Sequence, residues 1–442
     1  MAYEPQMLSI GPYHRTNPKL QEMEIHKLRY LQALLIRRRE SSTEKYILAL
    51  MQLEDRARRC YAEKKPNYSV EMMCLDGIFI IEFLRKIHDV NLRNKDDPIF
   101  QMVWMKLSII RDLILFENQI PFFVLEKLFD MTKFRGREET LTDLAISAIN
   151  CLSPGYRATQ NSNSSRNSTP EGVIHLLDLM HKAWCSSFAS TKKLATPAVQ
   201  NDRVVEEDNY SLLELKKSSS DHKQTRRAEQ CKSWFCITSR RPIHTQSGIS
   251  ISRMELIKSA SELQKCGIEF EKAKESKSWL DITFEKGIIK IPPLSVEDHT
   301  ETVLRNLIAH EEYYTSKSPK PCESRRCVVD YVTFMDLLID SSRDVKKLRH
   351  SKIMENRMGS DDAVCTLFNK LGIYVTVVKS KFCYKNVFQE INNYSCRRWN
   401  IWRADLVRNY FSTPWSIISF IVAVSLLFLT CTQTVFSILD KV

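Results

Sequence analysis

His310-Glu311-Glu312 is the stretch closest to a zinc-protease helix, where two imidazoles one turn apart hold the metal beside a glutamate base. Tyr314 stands where the second histidine must be. One imidazole cannot hold the ion, so the motif is absent. Cys231 and Cys236, flanked by His222 and His244, could be imagined as a zinc site, and so could Cys322 and Cys327. Both pairs have the loosest spacing that structural zinc knuckles use. The first lies in a polar insertion and the second has no histidine nearby, so both read as ordinary thiols. Asp76, Asp112 and Glu117 sit inside apolar helical runs, where a carboxylate is costly unless partnered. Two facing each other could work as general acid and base. Pairing with Arg111, Arg85 or backbone amides makes them structural ties, and this is the preferred reading. No GxxxxGK[ST], GxGxxG or GxSxG stretch occurs. No catalytic, cofactor-binding or metal-binding residue is therefore assigned, and no cofactor is expected.

Composition points the same way. Ten glycines in 442 residues is scarce against a usual share of about 7%. Phosphate loops, nucleophile elbows and long hairpin ladders all consume glycine at positive φ, so the shortage favours helices. The formal charge is +12, from 65 basic and 53 acidic residues. Arg37-Arg38-Arg39, Arg56, Arg58-Arg59 and Lys64-Lys65 are interleaved with Glu40, Glu44, Glu54, Asp55 and Glu63. Such mixing describes a solvated helix surface, and nucleic acid is not an expected partner. The 13 cysteines are odd in number and scattered, and MAYEPQMLSIGPYHRTNPKL lacks the pattern of a signal peptide. Reduced thiols facing the cytosol are expected.

The elements that must position these residues follow from periodicity. Leu20, Met23, Leu28, Leu31 and Leu35 predict a helix over 19–39. Residues 71–87 are apolar on nearly every face, as in a buried bundle helix. Within 100–130, Pro121 must break the run, giving one helix to about Asn118 and another from near Pro121. Residues 152–170 read as loop, 173–184 as a short helix and 186–250 as a flexible insertion. A β-hairpin is expected at 279–291, where Leu280, Ile282 and Phe284 alternate up to a Lys286-Gly287 turn and Ile289 and Ile291 alternate back, with Pro292-Pro293 closing it. Helices then cover 295–314, with Ser295 as cap, and 328–339, 361–371 and 385–394. The expected fold is mainly α, a multi-helix bundle with one small β-hairpin, a flexible insertion and a C-terminal transmembrane helix. Its segments are an N-terminal helical half (1–151), a low-complexity insertion (152–250), a C-terminal helical half (251–394), a basic-aromatic juxtamembrane segment (395–414) and the span (415–439).

That span is the strongest signal. Residues 415–439 carry no charge and would reach about 37 Å as a helix at ~1.5 Å per residue, beyond a hydrocarbon core of about 30 Å. Before it, Trp399, Trp402, Leu406 and Tyr410 share a helical face opposite Arg397 and Arg408, which suits a lipid headgroup layer. Arg397, Arg398, Arg403 and Arg408 precede the span and Lys441 follows it, so the positive-inside bias places the bulk domain in the cytosol, as in a single-pass, tail-anchored protein. Sequons at Asn67, Asn163, Asn167, Asn209 and Asn393 argue for the outward alternative.

Several segments together carry a resemblance. They are Tyr3-Glu4-Pro5-Gln6, SIGPYH at 9–14, MEIHKLRYL at 23–31, MMCLDGIFIIEFLRK at 72–86 and RDLILFENQIPFFVLEKLF at 111–129. HLLDLMHK at 175–182, IPPL at 291–294, the run 334–369 and the run 398–424 follow in order. The chain resembles the plant family catalogued as domain of unknown function 247, nearly end to end. Members usually carry a stretch before the Tyr-x-Pro segment that is missing here, and 186–250 matches no family motif. The resemblance implies a plant membrane-associated protein with no established catalytic residues, and some grass relatives are linked to self-recognition between pollen and stigma. Together these readings predict a non-catalytic recognition or signalling protein, held to membrane lipid and presenting a helical domain to a protein or peptide partner. An enzyme of unrecognised class using buried carboxylates or thiols is the alternative.

Overall fold

The computed structural model describes residues 2–61, 68–155, 170–193, 209–211, 259–317, 326–397 and 414–439, apart from positions 135, 137, 171, 275, 277, 374 and 379–381. Helix α1 (Glu22–Arg38) buries Met23, Lys27, Tyr30 and Leu34 at helical spacing and stops at Arg39, whose backbone turns left-handed with φ 56°. Two short helices follow, α2 (Glu44–Met51) and α3 (Glu54–Arg58). Helix α4 (Val70–His88) is the axis of this half. The Ser69 hydroxyl accepts the Met72 N–H at 3.1 Å, and Arg85, Lys86 and His88 occupy the negative end of the helix dipole. Helices pack on it from several sides, which is why its sequence shows no polar stripe.

The expected single helix up to Asn118 is two pieces, α5 (Pro98–Gln101) and α6 (Val103–Asp112). Beyond Asp112 side chains take over the backbone carbonyls. Asn118 Nδ2 donates to Asp112 O at 2.9 Å, and Gln119 Nε2 donates to Leu113 O and Leu115 O at 2.7 and 2.8 Å. Helix α7 (Phe122–Thr132) begins directly after Pro121, as expected. It lies so close to α4 that a Cβ on Gly77 would meet Leu128 Cδ1 at 2.4 Å. Thr140 caps α8 (Leu141–Ile149), and the short helix expected at 173–184 is the longer α9 (Leu176–Lys193). Most of the expected insertion 186–250 lies outside the described residues, but α9 enters it and β1 (Asn209–Ser211) forms within it.

After α10 (Ala260–Lys265) comes a small sheet of β2 (Glu269–Lys272), β3 (Thr283–Glu285) and β4 (Ile288–Ile291). The hairpin is β3–β4, and its turn is the expected pair: Lys286 and Gly287 both take positive φ, 50° and 87°. It starts at Thr283 rather than 279, because Ile282 N–H donates to Leu280 O at 3.0 Å and folds that stretch into a turn. Strand β2 joins β4 in parallel, an addition the hairpin alone does not foreshadow. Ser295 is not a helix cap. It lies in β5 (Leu294–Val296), where Leu294 and Val296 alternate inward past the two prolines and the strand pairs in parallel with β6 (Met354–Asn356). Helix α11 (Thr300–Lys317) begins later, where Thr300 Oγ1 accepts the Glu297 N–H. The fully buried α12 (Cys327–Leu338), α13 (Ser342–His350), α14 (Asp361–Leu371), β7 (Thr376–Val378) and α15 (Lys385–Ser395) complete the domain, with β7 antiparallel to β1.

One hydrophobic cluster joins both halves, from Leu8 to Ile391. The protein is mainly helical, with a few short strands. Apart from the core stands α16 (Pro414–Leu439), whose stretch Trp415–Val435 has mean hydropathy 2.1 and none of it buried. It is long and apolar enough to cross a membrane. The juxtamembrane residues Trp399, Trp402, Leu406 and Tyr410 fall outside the described residues.

Candidate functional site

The three carboxylates singled out by sequence do not converge. Asp76 Oδ1 receives Lys27 Nζ at 2.6 Å and Oδ2 receives the Gly11 N–H at 2.9 Å. Burial pushes its pKa up, against the pull of Lys27. Asp112 accepts the backbone N–H groups of Gln6, Met7 and Leu8 at 2.7–3.1 Å, and Arg111 Nη1 at 2.6 Å. Glu117 lies 3.8 Å from His14. Arg85, an expected partner, instead binds Glu82, Glu139 and Thr132. Asp76 and Asp112 thus fasten the N-terminal segment to the bundle, the structural role preferred from sequence. The missed partner is Lys27, a fully buried lysine on the inward face of α1 whose place in the Met23–Tyr30–Leu34 stripe was its one signal.

A different polar cluster forms where α9 meets α11 and α12. The His175 imidazole caps α9, its Nδ1 accepting the Asp178 N–H at 3.1 Å. This leaves the proton on Nε2, 3.4 Å from the Tyr314 hydroxyl. Burial pushes the His175 pKa down to about 3, so that ring stays neutral, and burial also lowers that of His310 against the pull of Asp178. Asp178 lies 3.3 Å from His310 Nε2, accepts the Ile174 N–H at 2.9 Å and pairs with Lys182 at 3.0 Å. Burial works against its ionisation, but these donors together hold it well below the usual carboxylate range.

One turn further along α9, His181 Nε2 meets Glu311 Oε1 at 2.7 Å. Glu311 also accepts the Val328 and Val329 N–H groups at 3.0 and 2.9 Å, so it caps the N-terminus of α12 from a neighbouring helix. The Cys185 thiol joins this group: its sulfur, a His181 nitrogen and a Glu311 oxygen lie within 4.8 Å of one another. The Cys327 and Cys383 thiols lie next in line, close enough to influence one another and Cys185. Asp330 accepts the Cys383 N–H at 2.7 Å, and burial pushes its pKa up to about 6. Beside the cluster is a cavity of about 110 Å³ lined by Tyr13, Tyr61, Glu117, His175, Tyr313 and Tyr314. Organic ligands usually need roughly 300–1,000 Å³, so this space suits water or a small ion.

A family model described as a plant protein of unknown function, DUF247, matches residues 1–429. The chain belongs to the DUF247 family. Among curated proteins, UPF0481 protein At3g47200 of Arabidopsis thaliana is similar, 29% identical over 446 residues that cover 99% of this chain and 83% of the relative. A second Arabidopsis thaliana protein of the UPF0481 series, At3g02645, is 27% identical over 484 residues, covering 98% of this chain and 86% of its own. No solved structure matches this DUF247 chain. Its polar cluster absorbs the near-motif at His310-Glu311, but with partners from α9. Cys327 joins Cys185 and Cys383, while Cys322, Cys231 and Cys236 lie outside the described residues. The visible signal was His175, Asp178, His181 and Cys185 recurring at helical spacing within an apolar helix.

Proposed function

We propose that this DUF247 chain is a membrane-anchored recognition protein without catalysis of its own, which presents its helical domain to a protein or peptide partner. The observation that carries the reading is the outer face of α1. Ile25, Leu28 and Ile36 share that face and are 63%, 55% and 70% exposed, although the inner face of the same helix is fully packed. Exposed apolar side chains spaced along one face of a surface helix are what a helix-in-groove partner takes up. Helix α16 supplies the anchor, and the positive-inside bias puts α1 on the cytosolic side. Proximity labelling in plant tissue tests this, comparing the full chain with an Ile25→Glu/Leu28→Glu/Ile36→Glu variant shown to be folded by circular dichroism. Labelled proteins that disappear in the variant support recognition through α1. An unchanged set refutes it.

The Tyr314–His175 pair at the small cavity favours a second, catalytic reading. Tyr314→Phe discriminates, since it removes only the hydroxyl. Biological function that survives Tyr314→Phe but fails with the α1 variant supports recognition, and the reverse supports catalysis.

A further inference from the structure

We propose that His181 Nε2, Cys185 Sγ and a Glu311 carboxylate oxygen, completed by the Cys327 sulfur, form a binding site for one zinc-type divalent cation.

The donor set is that of structural zinc, which takes imidazole, thiolate and carboxylate in tetrahedral array. His181 and Cys185 stand four residues apart on α9, one above the other on a single face. Glu311 comes from α11 and Cys327 is the first residue of α12, so an ion here would pin three helices at one point. The His181, Cys185 and Glu311 donor atoms already lie within 4.8 Å of one another, and Cys327 lies beside Cys185. Bond lengths of about 2.0–2.3 Å place tetrahedral donors roughly 3.3–3.7 Å apart. Entry of the ion therefore requires the 2.7 Å His181–Glu311 contact to open by about 0.6–0.8 Å and any donor pair near the 4.8 Å bound to close by about 1 Å. Both are within reach of side-chain torsions.

Two further features favour a cation. Glu311 is oriented by the Val328 and Val329 N–H groups, the kind of outer contact that holds a metal-binding carboxylate in place. The charge of the site also suits a dication. One thiolate and one carboxylate neutralise a dication, and the further negative charge of a thiolate at Cys327 lies at the positive end of α12. Binding releases the Cys185 and Cys327 protons to water, while His181 binds as the neutral ring.

The test uses the full chain purified in detergent, with zinc measured by elemental analysis and cobalt as a spectroscopic substitute. We expect one zinc per chain and a thiolate-to-cobalt charge-transfer band. Cys185→Ser and His181→Asn should each weaken zinc retention against a chelator by at least about tenfold. Cys60→Ser and a Cys231→Ser/Cys236→Ser double variant should keep the metal. His181→Asn preserves a polar partner for Glu311, so it remains informative if Cys185→Ser misfolds. Substoichiometric zinc, cobalt without a thiolate band, retention unchanged in His181→Asn, loss in the Cys231/Cys236 variant, or a Cys185–Cys327 disulfide would each overturn the proposal.

Discussion

Lys27→Met should cost the domain about 3–5 kcal/mol at pH 7, the usual penalty for stripping one partner from a buried ion pair. The structure shows why the substitution is severe. Lys27 is fully buried and its ammonium has three donors, all used: Ser9 O at 2.5 Å, Glu24 Oε1 at 2.6 Å and Asp76 Oδ1 at 2.6 Å. Without it, fully buried Asp76 keeps only the Gly11 N–H. Burial already raises the Asp76 pKa with Lys27 present, and losing the cation raises it further. The folded state then holds a proton that the unfolded state has released, so the variant loses stability as pH rises through the window above about 3.9. Its deficit against wild type should be largest near pH 7 and shrink toward pH 4. A Lys27→Met/Asp76→Asn double variant removes the stranded charge, retains an acceptor for Gly11 and should recover most of the loss. Urea unfolding of the detergent-solubilised chain measures the energies, and hydrogen exchange at Gly11 reads the loosened segment. A Lys27→Met cost below about 1 kcal/mol, or a double variant no more stable than the single one, would refute this account.

Other expectations follow from the same geometry. Asp112→Ala strands the Gln6, Met7 and Leu8 N–H groups, so it should cost about 2–4 kcal/mol, and limited proteolysis should cut first before Gly11. Gly287→Ala should cost about 1–3 kcal/mol in thermal unfolding, since φ is 87° and the new Cβ would sit 2.5 Å from the Tyr394 hydroxyl. Asp330, raised by burial to about 6, binds its proton more tightly folded than unfolded, so stability falls as pH rises from about 4 to 6. Asp330→Asn keeps the acceptor for Cys383 and should gain about 2–3 kcal/mol at pH 7, with no gain below pH 4, in a pH series of urea titrations. Deleting residues 414–442 should move the protein from the carbonate-resistant membrane pellet to the soluble fraction.

What could be read from sequence depended on where the deciding partner lay. Helix α14 matches its expected bounds because Ser360 caps it and its apolar face repeats regularly. The Lys286-Gly287 turn was equally plain, since two positive φ angles select few residue pairs. The end of α6 was hidden because no proline or glycine marks it. It stops where Asn118 and Gln119 claim carbonyls, which only the folded turn reveals. Ser295 looks like a cap until β6, 60 residues later, supplies a parallel neighbour. The same limit hid the polar cluster. His181 and Glu311 are separated by 130 residues, and motif spacing reports only on side chains that share one element.

The N-terminal segment also fixes the order in which the protein can be completed. Asn306 Nδ2 donates to Ala2 O, 304 residues away in sequence, while Asn306 Oδ1 accepts the Phe116 N–H. Closing so distant a contact is entropically slow, and on the ribosome it waits for α11 to be synthesised. At ~5–20 residues per second, those 304 residues take roughly 15–60 s. Leu8 and Ile10, both buried at the end, can begin to settle once Asp112 and Asn118 have emerged, but the outermost link cannot. Ala2 and its neighbours are therefore among the last residues to be locked, long after they are translated, and a nascent chain stalled before Asn306 leaves this outermost link open.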